Sequence, residues 1–89
     1  MAETPILQEM HEFYLWPDNV PAWRLFMACA TQWRSGMAGR EGFDYTGVQI
    51  VMREHRIRPR LRRQRFGELQ VMEAAALEGW AEAREKTEQ

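Results

Sequence analysis

Hydrophobic residues in the second quarter of the chain recur at steps of three and four, the period of one face of an amphipathic helix: Val20, Trp23, Phe26, Met27, Ala30 and Trp33. Asn19 can act as the N-cap, and Pro21 falls in the first turn, where its missing N–H is not needed. This pattern predicts a helix that begins after Asn19 and ends near Arg34.

The same period marks a shorter segment over residues 45–55 and a longer one over residues 60–83. The shorter segment begins after a plausible N-cap, Asp44, and its apolar face holds Tyr45, Val48, Met52 and His55. Partial alternation from Gly47 to Met52 leaves a short strand as the alternative, but the cap and the longer spacing favour a helix. The longer segment carries one stripe, flanked by Phe66 and Leu77: Leu61, Leu69, Met72, Ala76 and Trp80.

The two remaining segments complete the predicted fold. Residues 4–15 predict a short helix that ends before Pro17, since proline disfavours a helical conformation at Trp16. Glycines at every third position from Gly36 to Gly42 oppose a helix and predict a tight connector. A phosphate-binding loop is excluded because it needs a strand before it and a lysine and a hydroxyl residue after it, which this segment lacks. The predicted fold is all-α, a small single domain over residues 1–89 with three to four helices and this Gly-rich connector, frayed over residues 1–12 and 82–89.

Composition changes this picture only by exclusion. Hydrophobic residues make up 45% of the chain, too many for a disordered protein. Cys29 is the only cysteine, which excludes an internal disulfide and a cysteine-rich zinc site. No apolar run approaches the roughly 18 residues of a membrane span. The first arginine or lysine is Arg24, whereas a signal peptide begins with basic residues, so we expect a cytoplasmic protein without membrane contact.

Charge is distributed unevenly although the formal net charge is only −1. Residues 19–65 hold ten arginines against three acidic residues, a net charge of +7, whereas residues 1–18 and 66–89 carry −4 each. Seven arginines, called the arginine cluster below, lie between Arg53 and Arg65: Arg53, Arg56, Arg58, Arg60, Arg62, Arg63 and Arg65. The cluster can bind phosphates or acidic protein surfaces, or it can pair with the protein's own acidic ends as a solvated face.

The position of these arginines favours a partner. Four of them fall in the first turns of the last predicted helix, where the helix macrodipole disfavours positive charge. A local conflict of this kind indicates that the side chains serve something other than the stability of their own helix.

Residues that could do catalysis or bind metal are too scattered to form a site. His11 and His55 lie far apart in the chain, and Cys29 falls within a predicted helix without an obvious base. Asp18 and Asp44 are better explained as turn and cap residues. We therefore expect no enzyme activity, no cofactor and no metal.

One block of the sequence, residues 16–53, resembles a family of short phage-related proteins of unknown biochemical function. The shared features are the Trp-Pro-acid-Asn start at Trp16, the Trp/Leu/Phe helix and its Thr-Gln-Trp-Arg end at Arg34, the Gly-Met-x-Gly loop at Gly36, and the Asp-Tyr restart at Asp44. The later stretch over residues 68–73 is similar to the family's terminal helix.

This resemblance implies a genomic context and no catalytic residues. Family members are typically encoded in tail-morphogenesis cassettes of phages and prophages, between the tail tube gene and the tape-measure gene. It therefore implies a tail-assembly accessory protein in the cytoplasm of the host bacterium, chaperone-like, with the tape-measure protein, the tail tube protein or a companion chaperone as partner. Residues 56–65 are more arginine-rich here than the family pattern, so a shared binding surface is not implied there.

Candidate contact residues and rival functions follow from the same features. Partner contacts are expected on six residues of the arginine cluster or on three aromatic residues, whose alternative role is core packing: Arg56, Arg58, Arg60, Arg62, Arg63, Arg65, Phe13, Tyr14 and Trp16. The first rival is a small nucleic-acid-binding module that uses the Arg53 to Arg65 cluster in a helix-turn-helix-like arrangement. The acidic ends and a pI near 6.1 oppose that rival. The second rival is a structural component of the finished tail; self-association is left open.

Overall fold

Four α-helices, a short 3-10 turn and a β-hairpin make up the described part of the chain. In the computed structural model the backbone is described for residues 3–14, 16–37 and 39–88, and the side chains for the same residues except 3–5, 13, 87 and 88. The elements, in chain order, are helix α1 (Glu3–Phe13), a 3-10 turn (Pro17–Asn19), helix α2 (Val20–Ala28), strands β1 (Trp33–Gly36) and β2 (Gly39–Phe43), and helices α3 (Tyr45–Glu54) and α4 (Pro59–Glu88).

The predicted all-α class is wrong because the Gly-rich connector forms an antiparallel hairpin. Trp33 pairs with Phe43 and Gly36 pairs with Gly39, with a register shift between Arg34 and Ser35. Gly39 has a φ of +106°, a backbone conformation that glycine adopts without the penalty that other residues incur. The glycines that oppose a helix thus permit a tight turn between two strands.

Helix α2 ends six residues earlier than the predicted boundary near Arg34. The N–H of Cys29 bonds to Leu25 O and Phe26 O, and the chain then turns so that Trp33 can join the hairpin. There the Trp33 ring stacks on Phe43, with 3.9 Å between ring centroids. Long-range aromatic packing therefore overrides the local helical period, which had placed Trp33 on the α2 face.

The apolar face of α2 is also rotated from the predicted one. Its buried residues are Ala22, Leu25 and Phe26, and Cys29 is buried just beyond its end, whereas Met27 is 41% exposed. Asn19 is the N-cap residue as predicted, but its side chain makes no capping hydrogen bond. The buried side of α2 is the one that packs against α4, with Phe26 against the hairpin rings, and the helical period alone does not identify that side.

The Asp44 cap of α3 and most of the apolar stripe of α4 are as predicted. The Asp44 carboxylate accepts hydrogen bonds from the Thr46 and Gly47 N–H groups, at 3.1 and 3.4 Å, and so caps α3. Four of the five residues of the predicted α4 stripe, Leu69, Met72, Ala76 and Trp80, lie in the core, whereas Leu61 is only half-buried. Helix α4 continues to Glu88, past the predicted end at residue 83. At about 1.5 Å per residue, the 30 residues of α4 run the full 46 Å length of the molecule.

The core is an aromatic cluster held against α4. Phe26 of α2 meets the Trp33 and Phe43 rings edge-on, and Trp33 in turn meets the Trp80 ring of α4 edge-on, at centroid distances between 5.0 and 6.1 Å. Such edge-to-face pairs stabilise a core beyond the area they bury. No helix in the described part of the chain is long and apolar enough to cross a membrane.

Candidate partner-binding groove

The turn between α3 and α4 fixes how the two helices diverge. The Ile57 N–H bonds back to Met52 O, and the Arg56 N–H bonds to Arg53 O, both at 3.0 Å. This pair of bonds is the Schellman motif, which places one residue in the left-handed conformation. That residue is Arg56, with a φ of +57°, where glycine is usual.

An open groove of about 450 Å³ lies between the diverging helices. Three residues from each helix line it: Gln49, Met52 and Arg53 from α3, and Arg62, Arg63 and Phe66 from α4. Met52 is buried and Phe66 is half-buried, so they form an apolar floor. None of the six lining residues is acidic, and three of them are arginines.

Intramolecular bonds hold two residues of the arginine cluster in place. The Arg62 Nε donates a hydrogen bond to the Ile57 carbonyl at 3.0 Å, which ties the α4 side of the groove to the α3–α4 turn. Arg65 pairs with Glu68 one turn further along α4. Arg62 therefore presents its guanidinium from a fixed position. Arg65 instead pairs with an acidic residue of its own chain, as expected if the arginine cluster is a solvated face.

The remaining predicted arginines are exposed but do not all face the groove. Arg56 and Arg58 belong to the α3–α4 turn, and Arg60 lies in the first turn of α4. Of these four exposed arginines, only Arg63 lines the groove, beside Arg53 and Arg62. The cluster is thus divided between the groove, the turn and the outer face of α4.

The three predicted aromatic contact residues fall elsewhere. Tyr14 is half-buried and stacks on Trp23 of α2, with 6.1 Å between ring centroids. Trp16, just before the 3-10 turn, is 71% exposed and remains available to a partner. The side chain of Phe13 lies outside the described residues.

Four groove residues were absent from the predicted contacts: Gln49, Met52, Arg53 and Phe66. Gln49 and Arg53 are four residues apart on α3, a spacing that puts them on one side of a helix. That spacing, together with the charge of Arg53, was the available signal. Met52 was predicted on the buried face of α3, and this is confirmed. Its position at the groove could not be predicted, because it depends on the angle between α3 and α4.

A second open groove, of about 400 Å³, lies on the α2 side of the same turn. It is lined by Pro21, Arg24, Leu25, His55 and Ile57. His55 is exposed here, not on the core face of α3 where the helical period placed it, because α3 ends at Glu54 and His55 is its C-cap. With a single arginine and an exposed histidine, this groove lacks the charge density of the one between α3 and α4.

Burial perturbs the acid–base chemistry of two residues away from the groove, Cys29 and Tyr45. Burial raises the pKa of the Cys29 thiol to about 11, which keeps it protonated and unreactive. Burial, and then the hydrogen bond to Glu73, raise the pKa of Tyr45. Among the described residues, no group of three or more histidine, cysteine, aspartate or glutamate side chains could hold a metal ion.

Comparison with known proteins agrees with the sequence resemblance at the level of the family. The sequence profile of a family described as phage-related hypothetical proteins (DUF1799) matches residues 6–79, which include the hairpin, both walls of the groove and most of α4. No curated protein and no solved structure matches the chain. Because the matched segment covers most of the chain, the protein belongs to this phage-related family.

Proposed function

We propose that this protein is a non-catalytic accessory protein of phage tail assembly. In this proposal it holds an acidic, apolar-bearing segment of another tail protein in the groove between α3 and α4. The single observation that carries the proposal is the composition of that groove, which has three arginines above a floor of Met52 and Phe66.

The groove suits a helical or extended peptide segment with mixed chemistry. Arginine guanidinium groups form paired hydrogen bonds with carboxylates, which gives them both strength and direction. Phe66 offers a flat, half-buried apolar surface, and the adaptable side chain of Met52 packs at the same groove, so an apolar side chain of the partner can be covered there. A ligand with charge alone would leave that floor exposed to water.

Two local features of the turn support a binding role. Arg56 is kept in the left-handed conformation, at a cost of about 1 kcal/mol relative to glycine. Exposed Arg60 and Arg63 crowd the positive end of the α4 dipole, where the first turn has no acidic residue. Both features are unfavourable for the chain by itself, which is expected where side chains serve a partner.

The tail-assembly part of the proposal rests on the gene order that the sequence resemblance implies. A tape-measure protein is a long helical chain that exposes apolar and charged stripes before the tube assembles around it. A small module with a cationic, apolar-floored groove would shield such stripes, as a chaperone does. The tail tube protein and a companion chaperone are the other partners of this class.

Co-expression with the neighbouring cassette genes tests the proposal. The tagged protein is purified at low and at moderate salt, and the co-purifying proteins are identified by mass spectrometry. We expect a tape-measure or tube fragment that is insoluble alone, recovered less well at moderate salt because the arginine contacts are screened.

A matched pair of variants locates the contact. Arg53→Glu reverses a charge inside the groove, whereas Arg58→Glu makes the same change outside it. We expect recovery to fall at least tenfold with Arg53→Glu and less than threefold with Arg58→Glu. Equal losses would show that only overall charge matters, and recovery of nucleic acid in place of tail protein would favour the nucleic-acid-binding rival. Presence of the protein in purified virions would favour the structural tail component.

A further inference from the structure

The outer face of α4 is a continuous exposed surface with a symmetric chemical pattern. Val71, near the middle of the helix, is 64% exposed. Seven more exposed residues lie within about 40° of Val71 around the helix axis, three before it and four after it: Arg60, Gln64, Gly67, Ala75, Glu78, Glu82 and Glu85. The first six form three pairs at equal distances from Val71, and Glu85 has no counterpart because position 57 precedes α4. This set, called the outer α4 face below, points away from the buried stripe that holds Leu69, Met72, Ala76 and Trp80.

The order of charges along this face makes it complementary to itself. Arg60 lies eleven residues before Val71, and Glu82 lies eleven residues after it. Gln64 and Glu78 are each seven residues away, and Gly67 and Ala75 are each four away. A two-fold axis through Val71 therefore sets Arg60 of one chain opposite Glu82 of the other, twice.

We propose that the outer α4 face is the interface of an antiparallel dimer formed with a second copy of this chain. Val71 meets its own counterpart at the two-fold axis, and the small residues on either side allow the helices to approach closely. The side chains of Arg60, Gln64, Glu78 and Glu82 make no hydrogen bond or ion pair with any described residue of their own chain, so they are available to the partner copy.

The size of this surface sets the expected strength. One helix pair buries less than the roughly 800 Å² per partner of a standard interface, so we expect dissociation in the micromolar range or weaker. The two Arg60–Glu82 contacts lie at the rim, where salt screens them, so association should weaken as ionic strength rises. The groove between α3 and α4 stays open in this dimer, since none of its lining residues belongs to the outer α4 face.

A charge swap tests the antiparallel arrangement directly. In this dimer Arg60→Glu and Glu82→Arg each place like charges opposite one another, whereas the double variant restores two opposite-charge pairs. By sedimentation velocity over a concentration series, each single variant should raise the dissociation constant at least tenfold. The double variant should return it to within threefold of the natural protein.

Mixing provides the second arm. The two single variants, each monomeric alone, should form a heterodimer when combined, because the glutamate introduced at position 60 of one chain then faces the arginine introduced at position 82 of the other. Both substitutions improve the interaction of α4 with its own dipole, so loss of association cannot come from unfolding, and circular dichroism should be unchanged. Val71→Asp, at the axis, should abolish the dimer.

Two results would overturn the dimer. One is a natural protein that stays monomeric at every concentration, and the other is a dimer that both single variants leave unchanged. The groove variant Arg53→Glu should leave association intact, so failure of the dimer and failure of the proposed tail-protein contact are distinguished in the same set of proteins.

Discussion

The Glu73 carboxylate of α4 accepts a hydrogen bond from the Tyr45 hydroxyl of α3 at 2.6 Å. Its other oxygen accepts a hydrogen bond from the Phe43 backbone N–H at the end of β2, also at 2.6 Å. A single acidic side chain therefore joins the long helix to the junction of the hairpin and α3. Arg34 of β1 closes the same junction, since its Nε donates to the Phe43 carbonyl at 3.2 Å.

Removal of either partner of this bond should lower the free energy of unfolding. Tyr45→Phe leaves one Glu73 oxygen without its donor, and we expect a loss of about 1–2 kcal/mol. Glu73→Gln keeps an acceptor oxygen for the Phe43 N–H, and its amide can donate to the Tyr45 hydroxyl oxygen, so two charge-assisted hydrogen bonds become weaker neutral ones, with a loss of about 1 kcal/mol. Urea denaturation followed by tryptophan fluorescence measures both. Glu54→Gln, which changes an exposed carboxylate on α3, is the control and should change stability by less than about 0.5 kcal/mol.

Stability should fall at alkaline pH because core groups resist deprotonation in the folded state. Burial raises the pKa of Cys29 from 9.0 to about 11, and burial and Glu73 raise that of Tyr45 above 10.0, against a smaller opposing effect of Arg34. A group with a raised folded pKa contributes stability that is complete below its unfolded pKa and is lost as pH rises through the folded one. The melting temperature should therefore begin to fall near pH 9. In Cys29→Ala the fall should begin about one unit higher, and an unchanged profile would contradict this assignment.

Arg56→Gly should stabilise the protein. The Schellman turn keeps Arg56 at a φ of +57°, which glycine adopts without strain, so we expect a gain of about 0.5–1 kcal/mol in thermal unfolding. Arg58→Gly is the matched control, since Arg58 does not have a positive φ. There the change only increases the freedom of the unfolded chain, so stability should fall by a few tenths of a kcal/mol. Equal effects at both positions would show that the turn is not strained at Arg56.

Two glycine-to-alanine substitutions should have opposite signs. A Cβ at Gly42 would lie 3.0 Å from Arg34 Nη2 and 3.1 Å from Glu73 Oε2, at a φ of +157°. Gly42→Ala should therefore cost about 1–2 kcal/mol by displacing the junction. At Gly67 no heavy atom lies within 4 Å of the added Cβ, and alanine favours helix, so Gly67→Ala should gain about 0.5–1 kcal/mol. Chemical denaturation of dilute protein measures both without a contribution from self-association.

The elements fixed by local signals were predictable from the sequence. The Asp44 cap and the long apolar stripe of α4 depend on residues close together in the chain, so the boundaries of α3 and the buried face of α4 could be inferred. The hairpin could not, because Trp33 follows the helical period and leaves it only to stack on Phe43, ten residues away. The hydrogen bonds of Glu73 could not be predicted for the same reason, since they join α4 to residues about 30 positions earlier in the chain.

Of the groove between α3 and α4, only the positive charge could be predicted from the sequence. Arg62 and Arg63 were expected contact residues because seven arginines cluster in the sequence. The apolar floor of Met52 and Phe66 depends on how α3 and α4 diverge, which is set by the left-handed turn at Arg56. An arginine in that conformation has no sequence signature, whereas a glycine there would have marked the turn.

Site-specific photo-crosslinking in cells identifies the protein that lies against the groove between α3 and α4. A photoreactive amino acid replaces Gln49, which lines the groove, or Gln8, an exposed residue of α1, in cells that express the whole tail cassette. We expect position 49 to crosslink to an acidic segment of a tail protein, identified by mass spectrometry, and position 8 to give no such product. Equal crosslinking from both positions, or products from position 49 that contain only nucleic acid, would contradict the groove as the contact site for a tail protein.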